Sequence, residues 1–225
     1  MKKLKIGLVG CGGIANNKHM PALSKLSDKC EMVAFCDIIV ERAEKAAKEY
    51  GTPDAKVYTD YNELLANPDV DVVHVLTPNV AHRPITVAAF EAGKHVMCEK
   101  PMAHTSADAQ AMLDAWRKSG KKFTIGYQNR QTADARALKA ACVEGALGDI
   151  YYAKATAIRR RAVPTWGVFL NEEEQGGGPL IDIGTHALDL TLWMMDNYKP
   201  KMVVGTKYKK LGDQKNTANA WGDWD

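Results

Sequence analysis

Leu4-Lys-Ile-Gly-Leu-Val-Gly-Cys-Gly-Gly-Ile-Ala15 is the stretch whose reading decides the fold. Leu4 to Val9 is an apolar, strand-like run, and Gly10 to Ala15 directly after it fits the pattern G-x-G-x-x-G/A. In that pattern the first glycine allows a tight turn and the second lets the backbone approach a pyrophosphate. The small third residue, here Ala15, lets a helix pack closely on the strand. The start of that helix would aim unpaired N–H groups and a positive dipole end at an anion. Asp37 stands just after a second strand-like run, Glu31 to Phe35, where a carboxylate is placed to bind ribose hydroxyls. The alternative is plainer: glycines that only make a turn, and an Asp37 that caps a helix. On the first reading Gly10, Gly12, Gly13, Ile14 and Asp37 bind a dinucleotide. A carboxylate at position 37 repels a 2′-phosphate, and Ile38 and Ile39 bring no compensating cation. Arg42, one helical turn on, works the other way. NAD is therefore expected ahead of NADP.

Outward from this stretch, the chain alternates short apolar runs with helical patterns. Ala43, Ala46, Ala47 and Tyr50 fall on one helical face, with Gly51 as the stop. Val70 to Leu76 is the next apolar run, and Pro84 opens a helix that Gly93 closes. His95 to Cys98 reads as a strand. Thr105 to Asp108 resembles a capping box before a helix whose buried stripe is Ala109, Met112, Leu113 and Trp116. Gly120 ends that helix, and Phe123 to Ile125 is a further strand. All-apolar strands alternating with amphipathic helices predict a doubly wound α/β domain over residues 1–125, with a parallel sheet covered on both faces. From 126 to 225 the rhythm changes. A helix is expected over Asp134–Glu144, strands over Ile150–Ile158 and Lys201–Lys210, a loop over Glu172–Gly178 and a helix from Pro179 to Met195. These predict the first part of an α+β domain with an open, mostly antiparallel sheet.

The composition fits this reading. The chain has 225 residues, 46% of them hydrophobic and 25% charged, with a formal net charge of +3. That charge is too weak and scattered for nucleic acid. No window approaches the ~20 apolar residues of a membrane span, and the opening residues lack the unbroken apolar core of an export signal. The five cysteines are odd in number and form no CxxC pair, which fits reduced thiols in a cytoplasmic protein.

The segment Val75-Leu-Thr-Pro-Asn-Val-Ala-His82, with Ala92-Gly-Lys-His-Val-Met-Cys-Glu-Lys-Pro-Met-Ala103, resembles the signature of the Gfo/Idh/MocA oxidoreductases. The resemblance runs from Lys5 to about Tyr208 and includes Asp182-Ile-Gly-Thr-His186. Read from the residues alone, Glu99-Lys-Pro101 follows a buried strand at the carboxyl edge, where open α/β sheets bind ligands. The resemblance makes Lys100 the active-site lysine and places Thr77, Pro78, Asn79, His82 and Glu99 beside the cofactor, although each also fits turn chemistry. Asp182, His186 and Asp189, spaced by four and three, fall on one helical face. The resemblance assigns His186 as acid/base and Asp182 as its partner or a substrate ligand; the plainer alternative is a helix-capping Asp182 and a structural histidine. No third ligand stands at a recognisable spacing, so no metal site is expected.

Tyr127 and Arg130 follow the last predicted strand of the first domain and are candidate substrate contacts. Trp166, after the run Arg159 to Arg161, is a candidate for stacking on a sugar ring. The resemblance implies hydride transfer between NAD and a hydroxyl carbon of a sugar, inositol or sugar derivative, in a cleft between two domains. Two rivals share the same residues: an NAD-dependent glycosidase using transient oxidation, and a non-catalytic dinucleotide-binding regulator. Family members continue past residue 225, so the second domain is expected to be incomplete here, and a homo-oligomer is expected where it is complete.

Overall fold

The computed structural model describes residues 2–158, 164 and 167–208. It divides into two compact units, Met1–Gly126 and Tyr127–Asp225.

The first unit carries strands β1 (Leu4–Val9), β2 (Cys30–Cys36), β3 (Lys56–Tyr58), β4 (Val72–Val75), β5 (His95–Cys98) and β6 (Phe123–Ile125). They form one sheet in the order β3-β2-β1-β4-β5-β6, and every pairing is parallel. The helices between them are α1 (Met20–Ser24), α2 (Val40–Tyr50), α3 (Tyr61–Ala66), α4 (His82–Glu91) and α5 (Ser106–Ser119). This is the doubly wound fold expected from the sequence. Strand order reverses at β1, which has β2 on one side and β4 on the other. Such a switch point opens a crevice at the strands' carboxyl ends, where ligands of these folds bind.

The strands are mostly apolar because both faces of the sheet are covered. One core cluster holds Val9, Val73, Val75, Ile85, Phe90, Val96 and Met112, and draws on α3, α4 and α5. The other holds Ile6, Leu8, Met20, Met32, Phe35, Ala43 and Ala46, beneath α1 and α2. Each fully buried large side chain among them contributes about 1.5–3 kcal/mol. Trp116 is only the edge of its stripe: 36% exposed, it reaches the Lys121 carbonyl through its indole N–H. The capping box takes a variant form. Thr105 Oγ1 accepts the Asp108 N–H at 3.1 Å and donates back to the Asp108 carboxylate at 2.8 Å. Strand β3 and helix α3, capped by Asp60, are elements that the sequence reading did not single out.

In the second unit, Thr132 caps α6 (Ala133–Val143), close to the helix expected there. Three expectations are corrected. The acidic stretch after Asn171 is not all loop: α7 (Glu172–Gln175) forms because the Asn171 side chain accepts the N–H groups of Glu173 and Glu174. Three glutamates in its first turn also suit the helix dipole. The helix from Pro179 is interrupted, with a π turn over Leu180–Gly184 before α8 (Thr185–Met195). Finally, residues 150–158 and 201–208 form no strand. Their large side chains, among them Tyr151, Ile158, Val203 and Val204, are exposed. A strand exists through the ladder it makes with a neighbour, and no partner strand lies beside these runs among the described residues. The expected antiparallel sheet is therefore not formed by them.

Candidate active site

The glycine turn and the acidic residue after β2 are built as one piece. Gly10 has φ +95°, and a Cβ there would sit 2.7 Å from the Leu76 carbonyl oxygen. Only glycine takes that conformation freely and lets β1 run this close to the end of β4. The next residue, Cys11, donates its N–H to Asp37 Oδ2 at 2.8 Å, and Ile39 N donates to Oδ1 at 2.9 Å. Asp37 is 8% exposed, so its orientation is set, while each oxygen keeps accepting capacity for a further donor. Asn16 secures the far side of the turn by donating to the carbonyls of Cys11 and Gly12.

Next to this support is space. A Cβ on Gly12 would meet nothing within 4 Å, and one on Gly13 only the Asn17 amide at 3.9 Å. Ala15 is fully buried against the strand. Ile14 is partly exposed, and Ile38, next to Asp37, is 90% exposed. An open backbone cradle before a helical segment, with an oriented carboxylate beside it, fits the pyrophosphate and ribose of a dinucleotide. At the end of β4, Thr77 Oγ1 is buried and has no hydrogen-bond partner among the described residues. Pro78 is half-buried and Asn79 buried in the same loop.

His82, expected beside the cofactor, lies between the loops that follow β4 and β5. It is fully buried, with Nδ1 2.8 Å from the Pro101 carbonyl and Nε2 3.0 Å from the Thr77 carbonyl. It ties the β4 loop to the β5 loop from behind. Burial holds its pKa below the ordinary histidine value, so the neutral ring donates to one of the two carbonyls at a time.

At the end of β5, Glu99 is buried and Lys100 half-buried, with a cis peptide bond between Lys100 and Pro101. Glu99 Oε2 accepts the Lys100 N–H at 3.0 Å, and Oε1 lies 2.9 Å from His19 Nε2. His19 Nδ1 in turn lies 3.2 Å from His74 Nδ1. Gly126 makes room for this carboxylate, since a Cβ there would lie 2.9 Å from Oε1. Burial pushes the Glu99 carboxyl up, but the His19 hydrogen bond and charge, with the Lys100 N–H, hold it below its usual value. Burial, aided by His19, pushes His74 down to about 3. His19 and His74 are not singled out by the local sequence pattern. The signals present were a histidine at the end of the segment that follows the glycine turn, and a polar residue inside an apolar strand.

In the second unit, Tyr127 and Arg130 both hold the segment that carries His186. The Tyr127 hydroxyl is 3.0 Å from Thr185 Oγ1, and the Tyr127 ring meets the His186 ring edge-on at 6.1 Å. Arg130 donates to both oxygens of Asp189, through Nε at 2.8 Å and through Nη2. Its guanidinium also lies over the Trp193 ring at 5.4 Å. Asp189 is thus engaged by Arg130, and its carboxylate raises the Arg130 pKa. His186 is buried at the start of α8, and Asp182 is half-buried on the preceding π turn. Trp166 and Arg159 to Arg161 lie outside the described residues. Among the described residues, no helix is long and apolar enough to cross a membrane.

Comparison with known proteins finds family matches over both halves of the chain. Residues 4–127 match the oxidoreductase family with an NAD-binding Rossmann fold, and residues 135–220 match the GFO/IDH/MocA C-terminal domain. The chain is 40% identical over 222 residues to the D-glucoside 3-dehydrogenase of Escherichia coli (strain K12), covering 99% of this chain and 62% of that protein. It is 33% identical over 210 residues to the inositol 2-dehydrogenase of Salmonella typhimurium (strain LT2), covering 92% and 60%. Among solved structures, a myo-inositol dehydrogenase from Lactobacillus casei in complex with NAD(H) and myo-inositol superposes with a TM-score of 0.76. It is 28% identical, with 87% of this chain and 55% of that one covered. The chain therefore spans about six tenths of the length of the curated relatives it matches.

Proposed function

The chain belongs to the GFO/IDH/MocA oxidoreductase family, and on that premise we propose that it takes part in NAD-dependent oxidoreduction of a hydroxyl carbon in a sugar, inositol or sugar derivative. The observation that carries the proposal is the Asp37 carboxylate held by Cys11 N–H against the open Gly12–Gly13 cradle. Glycosides and inositols are the substrates named for the relatives above.

On this reading the backbone of Gly10, Gly12, Gly13 and Ile14 receives the pyrophosphate, and Asp37 receives the ribose hydroxyls. Thr77, Pro78 and Asn79 border the remainder of the cofactor, with His82 and Glu99 fixing that border from behind. Bound NAD supplies the hydride acceptor. The protein handles the proton and the oxygen. Oxidation of a CH–OH group sends hydrogen from carbon with its electron pair and leaves the hydroxyl proton to be removed. His186 accepts that proton, a task suited to a neutral histidine, and Asp182 orients it. The Lys100 ammonium is the candidate to donate a hydrogen bond to a substrate oxygen and to stabilise charge developing on it. A positioned acid/base of this kind contributes on the order of 10²–10⁴-fold. Tyr127 and Arg130 support the segment bearing His186, and Trp166 is a sugar-stacking candidate. In the whole protein, the open antiparallel sheet of the second domain and a homo-oligomer built on it belong to the same proposal.

The test is turnover of NAD+ by the purified chain against a panel of glucosides and inositols, followed by nicotinamide absorbance. Reduced cofactor should accumulate with at least one of these classes and cease to do so in Lys100→Ala. Binding of NAD+ with no reduced cofactor from any polyol would remove the dehydrogenase reading.

A further inference from the structure

His19 and His74 face each other through their Nδ1 atoms at 3.2 Å, and His19 turns its other nitrogen to Glu99 at 2.9 Å. These contacts restrict where the protons sit. An ionised carboxylate only accepts, so His19 Nε2 must carry a proton and donate it to Glu99 Oε1. Between the two Nδ1 atoms there is room for one proton. It sits either on His74, with His19 neutral, or on His19, which then forms an ion pair with Glu99. His74 is neutral in both cases, as its depressed pKa requires. The Lys100 N–H donates to the opposite oxygen, Oε2, at 3.0 Å. The carboxylate is thus gripped from two sides in a pocket that Gly126 leaves open. His82 and Cys98 also lie within reach of its charge.

We propose that His19 is a positioning residue for Lys100: it anchors the buried Glu99 carboxylate, which fixes the Lys100 backbone, while His74 fixes the His19 ring. His19 ends the π turn Ala15–His19 that follows the glycine motif, so the segment next to the dinucleotide cradle is wired directly to the loop bearing the lysine. The value of this arrangement for catalysis rests on the reading of Lys100 as the substrate lysine. The hydrogen-bond relay itself does not.

Two measurements test it. Long-range ¹⁵N–¹H spectra of the histidine rings in the full chain should show His19 protonated at Nε2 and His74 neutral. An unprotonated His19 Nε2 would overturn the relay outright, with no variant needed. The second measurement is amide hydrogen exchange at Lys100 in His19→Leu and His19→Gln. Loss of the anchor in His19→Leu should speed exchange at Lys100 about tenfold, with the core amides of β1 and β4 unchanged. The glutamine amide still donates to Glu99 and should restore most of the protection. In turnover, His19→Leu should lower kcat with NAD+ affinity kept. Equal exchange in wild type and His19→Leu, or equal loss in both variants, would contradict the positioning role. The expected His19 dependence of exchange at Lys100, with no effect of Lys100→Ala on turnover, would instead remove the substrate role of Lys100 and leave the relay standing.

Discussion

The Cys11 N–H and the Asp37 carboxylate lie 2.8 Å apart, so the glycine turn and the ribose-binding candidate are a single hydrogen-bonded unit. Within it, two glycines do different jobs. At Gly10, a methyl group meets the Leu76 carbonyl at 2.7 Å in a backbone conformation that only glycine takes freely. Gly10→Ala is expected to destabilise the protein by about 1–3 kcal/mol, read in urea unfolding. At Gly12, a methyl group meets open space, so Gly12→Ala should unfold within about 0.5 kcal/mol of wild type. It should nevertheless lose about tenfold or more in NAD+ affinity, because the added methyl occupies the ground the pyrophosphate needs. A Gly12→Ala protein with unchanged affinity would place the dinucleotide elsewhere.

His74 predicts an acid limit to stability. Its folded pKa is pushed down to about 3 from an ordinary 6.5, by burial first and then by His19, with Glu99 opposing. The unfolded chain therefore binds this proton more readily than the folded one. The contribution is fully present above about pH 6.5 and is lost as pH falls from there toward about 3. His74→Gln keeps a donor for His19 but does not titrate. Between about pH 6 and pH 4 its unfolding free energy should fall less steeply than that of wild type, by up to about 1.4 kcal/mol per pH unit. Parallel slopes would count against the account of this histidine.

The Arg130–Asp189 pair should behave as one structural element. The Asp189 side chain is 8% exposed and that of Arg130 30%, so removing the arginine strands a buried carboxylate. Arg130→Ala is expected to cost about 3–5 kcal/mol, and Asp189→Ala less. In a double-mutant cycle the two should couple by about 1–3 kcal/mol. Additive effects would show that the contact contributes nothing specific. Arg130→Lys cannot reproduce the forked contact or the stacking on Trp193, so it should recover only part of the loss.

What could be read from the sequence was mostly local. Leu4 to Ala15 encodes a strand, a turn and a helix start in neighbouring residues, and the structure has all three. The helix stop at Gly120 and the cap at Thr105 were legible for the same reason. His19 and Glu99 are eighty residues apart, and His19 and His74 fifty-five. They meet only because β1, β4 and β5 are adjacent, which no local pattern announces. Arg130 and Asp189 are likewise joined across fifty-nine residues. The spacing of Asp182, His186 and Asp189 suggested one shared helical face, but the π turn at Leu180–Gly184 divides that stretch and Arg130 takes Asp189. Strand β3 is three residues long, too short to leave a period. At Ile150–Ile158 and Lys201–Lys210 the β-branched runs were visible, but composition cannot supply a neighbouring ladder.

Calorimetric titration of the purified protein with NAD+ and NADP+ tests whether the Asp37-supported glycine turn holds NAD. NAD+ should bind, NADP+ should bind more weakly because its 2′-phosphate meets the Asp37 carboxylate, and NAD+ binding should be lost in Asp37→Ala. No binding of either nucleotide, or undiminished NAD+ binding by Asp37→Ala, would contradict this placement of NAD.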